Sequence, residues 1–310
     1  MIFGTHSILI LMLAVFISGC ASSTKQVDSL LARQTSLPHV VEISNVPFIK
    51  QEAGHCGPAT LTMAMKAVGK EVELATITSQ VYSPNMKGTF QTDMMSATRR
   101  QGMLAIPIEN LDSLLSEVAA GNPVIIFENL AFEWLPQWHY ALVYGYDLKR
   151  EIIIMHSGSE QAKHWDLRKF ERSWKLGDYW GMVVLPPGQL SATGSELTHV
   201  TAAAALEKLQ LNEEALIAYN KILSRWPESL GALIGTGNCY FAKSNYAESA
   251  KKLSLAVRHH PSSAIAWHNL AIAQKLLKQS PLAKASALKA IALATETQKI
   301  QYEKTLKELL

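Results

Sequence analysis

Cysteine is scarce in this chain: Cys20, Cys56 and Cys239 are the only three, and they lie far apart. An odd, scattered set argues against a disulfide framework and leaves each thiol to be explained by itself. Charge is also short of an excess of either sign. The net charge of +3 is too small to predict a nucleic-acid partner. The ten histidines form no ligand-spaced cluster, so neither a metal nor another cofactor is expected. There is no low-complexity tract, and the N-terminal apolar run, Ile8 to Ile17, is too short to cross a bilayer comfortably. What remains is ordinary globular composition, 48% hydrophobic and 18% charged, over 310 residues, enough for two domains.

The apolar run has the length of a signal-peptide core, although only His6, and no Lys or Arg, precedes it. Ile17-Ser18-Gly19-Cys20 follows and resembles the lipobox of bacterial lipoproteins. That resemblance implies a signal peptide over residues 1–20, cleavage before Cys20, and diacylglycerol on its sulfur. Ala21 in place of an acidic residue resembles outer-membrane sorting, so the expected location is the cell envelope, lipid-anchored on the periplasmic side. Residues 21–40 are expected to be a polar tether with a short helical stretch.

A domain is expected over residues 41–187. Its first signal is Gln51-Glu52-Ala53-Gly54-His55-Cys56-Gly57-Pro58-Ala59. Pro58 suits the first turn of a helix, with Leu61, Met65 and Val68 on one apolar face and Gly69 at its end. Cys56 then sits at a helix N-terminus, where free amides and the helix dipole favour a thiolate. Gln51 is near enough to help the Cys56 backbone N–H hold an oxyanion. A base is supplied further on, where His139 opens a strand through Asp147, followed by a turn and a second strand from Glu151 to Met155. A Cys–His pair of this kind attacks a carbonyl carbon and returns the proton to the leaving amine.

Gln-x4-Cys-Gly-Pro-Ala, followed later by His-Tyr-Ala-Leu-Val-x-Gly-Tyr-Asp, resembles the C39-like peptidases, which are papain-like and related to the double-glycine proteases of peptide exporters. The likeness covers roughly Pro47 to Pro186. It implies an α+β papain-like cysteine peptidase domain with Cys56 as nucleophile, His139 as base and Gln51 as oxyanion donor. The family places an Asp after the second strand; here that place reads Met155-His156-Ser157-Gly158. His156 or Ser157 is therefore the candidate third member, or a carboxylate such as Asp147 or Asp166 reaches His139 by another route.

Other residues read as scaffold. Leu111 to Ala120 is an amphipathic helix, and Val124 to Phe127 a buried strand. Trp134, Trp165, Trp174 and Trp180 are assigned to core or sheet packing, with Trp138 set apart because it adjoins His139. His55 reads as a loop residue, and Asp93 and Glu109 have no carboxylate partner at a useful spacing.

Pro186-Pro187-Gly188 and the polar residues to Glu196 mark a linker, assigned to 188–200. Beyond it Trp226-Pro227 and His260-Pro261 each close an amphipathic helix, 34 residues apart, which is the tetratricopeptide spacing. Ala215, Tyr219 and Ile222 correspond in register to Ser249, Leu253 and Ala256, and to Ala283, Ala287 and Ala290. An all-α tetratricopeptide solenoid is therefore expected over 201–310, with about three repeats to Thr295 and a capping helix from Gln298. Cys239 inside it reads as a small buried hydrophobe.

The expected function is a lipid-anchored envelope cysteine peptidase, acting on a peptide or protein substrate, with the repeats binding that substrate or a protein partner. A silent peptide-binding adaptor and a peptidyl or acyl transferase using the same Cys–His pair are the alternatives.

Overall fold

The computed structural model describes residues 24–52 and 54–309. Cys20 and the signal-peptide segment lie outside them. The first element is helix α1 (Lys25–Ala32), followed by strand β1 (Val40–Glu42), then α2 (Cys56–Ala67), α3 (Leu74–Val81) and α4 (Gln91–Arg100). Strand β2 (Leu104–Ile108), helix α5 (Leu111–Ala119), β3 (Val124–Asn129), β4 (Trp138–Asp147), β5 (Ile152–Ser157), β6 (Glu160–Asp166), α6 (Leu167–Lys175) and β7 (Gly181–Leu185) complete the first domain.

The strands form one antiparallel sheet in the order β2-β7-β3-β4-β5-β6, with β1 pairing the far end of β4. Alternation of side chains sends each strand's apolar residues to both faces. Ile125, Tyr140, Leu142, Met182 and Val184 meet α2, α3 and α4. Ile126, Ala141, Val143, Val183 and Leu185 meet α5 and α6 on the other face. Helix α2 is not the one-sided amphipathic helix its spacing suggests, because every residue from Gly57 to Met65 is buried. Small residues (Gly57, Ala59, Thr60, Ala64) let it run close to the sheet, which fixes the position of Cys56 at its start.

The tether expectation needs correction for residues 24–32. Val27 and Leu30 of α1 are buried, and the backbone N–H groups of Gln26 and Val27 donate to the Glu171 carboxylate at 3.0 and 2.8 Å. A buried carboxylate at a helix N-terminus satisfies the orphan amides there, so this helix is docked on the domain.

Six helices form three antiparallel pairs: α7 (Glu196–Lys208) with α8 (Asn212–Arg225), α9 (Leu230–Ala242) with α10 (Tyr246–His259), and α11 (Ala264–Leu276) with α12 (Ser280–Leu293). Helix α13 (Glu296–Leu309) packs on the last pair. The first pair begins at Glu196, inside the segment assigned to the linker. All nine residues aligned above by the 34-residue register, from Ala215 to Ala290, are buried in the stack. Cys239 is buried too, and burial pushes its thiol up to about 12.

The linker is not a loose one. Glu117, fully buried at the end of α5, accepts hydrogen bonds from Ser191 Oγ, from the backbone and hydroxyl of Thr193 and from Ala192 N. Ala202, Ala203 and Leu206 of α7 share a core with β2 and α5. Sheet domain and repeats therefore have a continuous core.

Candidate active site

Cys56 is the first residue of α2, and the backbone amides of Tyr140, Gly57 and Cys56 itself are aimed at its sulfur. His55 precedes it as the helix N-cap and stacks on Tyr82, at 4.4 Å between ring centroids. Gly57 has no room for a side chain: a Cβ there would fall 2.6 Å from Thr89. Thr89 O also accepts from Tyr140 Oη at 3.1 Å. The loop carrying Met86 to Phe90 is thus held against the start of α2, where it forms one wall of a cleft of about 740 Å³. Gln51, Cys56 and His139 all line that cleft, together with Trp138 and Gly158.

Gln51 is fixed from three directions. Its backbone N–H donates to Gly158 O, its Oε1 accepts from Gly158 N, and its Nε2 donates to Thr60 Oγ1, each at 3.1 Å. An amide nitrogen carries two hydrogens, and Thr60 takes one.

The structure places Ser157, not His156, beside His139. His139 Nε2 and Ser157 Oγ are 3.1 Å apart. Ser157 lies opposite Ala141 in the β4–β5 register, and so shares a face with His139 two residues away. His156 points to the other face, where its Nε2 is 3.2 Å from Val46 O and its Nδ1 accepts from Ala162 N. Asp147 and Asp166 do not approach His139. Asp147 caps the turn at the far end of β4, about 26 Å along the strand, and Asp166 caps α6.

Burial decides the protonation of the pair. It pushes the Cys56 thiol up, against the three backbone amides that favour the thiolate. It pulls His139 down to about 4, with the positive charge of Lys163 acting in the same direction. The helix N-terminus works as the sequence suggests, but desolvation outweighs it. Each shift by itself favours the uncharged form, thiol for Cys56 and neutral imidazole for His139.

His139 titrates lower in the folded chain than its ordinary 6.5, so its contribution is fully present above 6.5 and lost as pH falls through about 4. The loss amounts to about 3 kcal/mol. His139→Asn is expected to remove it. Denaturant midpoints of wild type and variant should therefore differ most near pH 7 and converge at pH 4; parallel curves would exclude a buried neutral His139.

Sequence reasoning misjudged one of the tryptophans, while the one it set apart, Trp138, does line the cleft. Trp134, assigned to packing, is 79% exposed and stacks on Phe132 at the tip of the β3–β4 connection. Trp138 is half exposed and stacks on Phe127, at 5.1 Å, as part of the cleft wall. Trp174, by contrast, is fully buried. A run with five large apolar side chains from Leu130 to Trp138, broken by Glu133 and Pro136, could have signalled an exposed aromatic loop.

Residues 43–179 match the model of the Peptidase_C39 like family. No curated protein matches the chain. Solved structures do. One, described as a C39-like peptidase from Bacillus anthracis, is 18% identical with a TM-score of 0.42, over 50% of this chain and 100% of that one. The peptidase domain of Streptococcus ComA, a bifunctional ABC transporter, is 19% identical with a TM-score of 0.39, over 46% and 99%. The first tetratricopeptide domain of Spaghetti (RPAP3), bound to an HSP90 peptide, is 19% identical with a TM-score of 0.35, over 37% and 89%. The chain carries a C39-like peptidase domain, followed by a helical part like a tetratricopeptide solenoid.

Proposed function

We propose that this protein is a cysteine peptidase of the bacterial cell envelope, anchored by lipid on Cys20 to the periplasmic side of the outer membrane. Cys56 attacks the scissile carbonyl, and His139 takes the thiol proton and delivers it to the leaving amine. The free hydrogen of Gln51 Nε2 and the Cys56 backbone N–H receive the oxyanion. Ser157 orients the imidazole. The repeats bind the substrate or a protein partner. The observation that carries this reading is the convergence of Gln51, Cys56 and His139 on one cleft large enough for a peptide segment.

The cleft also supports a substrate preference. Phe127, Trp138 and Phe90 line it, and Phe132, Trp134 and Leu135 extend the apolar surface beyond. Peptides with large apolar side chains near the scissile bond gain most by covering that surface.

The test is cleavage of a peptide mixture by the full chain in mild detergent, with products sequenced by mass spectrometry. Products rich in apolar residues at the cut, absent with Cys56→Ser, are expected. Equal products from both proteins would overturn the assignment of the nucleophile. Binding without cleavage would favour a peptide-binding adaptor, a reading motivated by the absence of a carboxylate after β5. Products joined to an added amine would indicate a transferase.

A further inference from the structure

A carboxyl group does adjoin the base, on the strand that precedes it. Glu128, near the end of β3, is the direct cross-strand partner of His139. Directly opposite residues in an antiparallel pair hold their Cβ atoms about 4.5–5.5 Å apart on the same face. Glu128 is fully buried. Its Oε2 accepts from Ser173 Oγ of α6 at 2.7 Å, while its Oε1 has no hydrogen-bond partner among the described residues. A buried carboxyl oxygen without a partner is costly to keep, which makes it a feature to be explained. The strand is also held rigidly from outside: Gly177 lies so close that a Cβ on it would fall 2.2 Å from Phe127 O and 3.3 Å from Glu128 Cα.

We propose that Glu128 is the acidic positioning residue of this site, standing across the β3–β4 pair from His139 and stabilising, when ionised, the imidazolium that forms as Cys56 loses its proton. The inference rests on His139 being the base. It assigns to a neighbouring strand the carboxylate that is missing after β5. Ser157 then fixes the ring from the β5 side, and Glu128 supplies the charge from the β3 side.

The surrounding charges are few. Cys56 approaches from α2 and Lys163 from β6, where Lys163 is itself paired with Glu160 at 3.0 Å. Ser157 and Ser173 are neutral, and His156 lies on the opposite face. Lys163 opposes the imidazolium, so an anion beside His139 has a cation to offset. Burial raises Glu128 to about 7, with Ser173 and Lys163 working against that rise. Its charge therefore appears within the neutral range.

The experiment is the rate of Cys56 alkylation by iodoacetamide between pH 5 and 9, using the full chain in mild detergent and locating the adduct by mass spectrometry. In wild type a rise in rate near pH 7 is expected, ahead of the thiol's own titration. Glu128→Gln, which keeps an acceptor for Ser173, should abolish that rise and slow alkylation at pH 8 by about tenfold or more, the effect of one charge on a neighbouring His. Ser173→Ala should move the rise to higher pH, since it removes a bond that favours the ionised carboxyl. Profiles of Glu128→Gln and wild type that coincide, while His139→Ala is slow, would overturn the role of Glu128 and leave the base intact. Rates independent of His139 as well would overturn both.

Discussion

Turnover of a peptide amide by His139→Ala is expected to fall about 10²- to 10⁴-fold, the usual contribution of a positioned acid–base group. The structure makes this the most exposed weakness of the site. Burial pushes the Cys56 thiol up and so favours its protonated form. In the proposed mechanism the proton leaves as the C–S bond forms, and His139, which lines the same cleft, accepts it. The same imidazolium must then protonate the departing amine, which is far too basic to leave unprotonated. Both steps fail together in the variant. A p-nitrophenyl ester gives the discriminating control, because its leaving group needs no proton. Its hydrolysis should fall less than that of the amide. Equal losses on amide and ester would mean that His139 only positions the thiol, and an unchanged amide rate would remove it from the mechanism. The fold is expected to survive, since a loss of about 3 kcal/mol is smaller than the roughly 5–15 kcal/mol stability of a typical domain.

Much of this site was legible because its chemistry is local. Cysteine before Gly-Pro at a helix start, and histidine opening a β-rich run, declare their elements through propensity alone, and α2 and β4 form where those signals stand. The repeats were legible for a different reason: a 34-residue period encodes the same packing three times, so each register position is read against two others. What stayed hidden depends on pairing. The choice between His156 and Ser157 turns on strand parity, and an irregularity between Val143 and Gly145 makes that parity unsafe to count from sequence. Glu128 is harder still. Ile-Ile-Phe-Glu-Asn reads as a strand reaching solvent at a polar end, and only the register that sets Glu128 against His139 reveals a buried acid. The docking of α1 and of residues 191–195 was missed for a related reason. Polar segments read as tether and linker because composition cannot show that their amides and hydroxyls converge on Glu171 and Glu117.

Glu117→Ala is expected to destabilise the chain by about 3–5 kcal/mol, the range for removing one member of a buried charged network. Glu117 is fully buried and accepts from Asn122 Nδ2 at 2.8 Å, Ser191 Oγ at 2.5 Å, Thr193 N at 2.8 Å, Thr193 Oγ1 at 2.7 Å and, more weakly, Ala192 N at 3.2 Å. Alanine would leave these donors facing a cavity they cannot use, and so the cost exceeds that of a single hydrogen bond. Gln is a poor substitute, because its amide would turn two hydrogens toward groups that are themselves donors. The effect should also reach beyond α5. Ser191 Oγ accepts from Gly194 N, and Ser191 N donates to His199 Nε2 in α7, so the network fixes where the repeats begin. Because α7 shares a core with β2, wild type should unfold in one denaturant transition seen equally by sheet and helix signals. In Glu117→Ala the midpoint should fall, and the two signals should separate as the repeats loosen first. A drop below 1 kcal/mol with coincident signals would mean that apolar packing alone joins the two domains, and that the five hydrogen bonds merely decorate the junction.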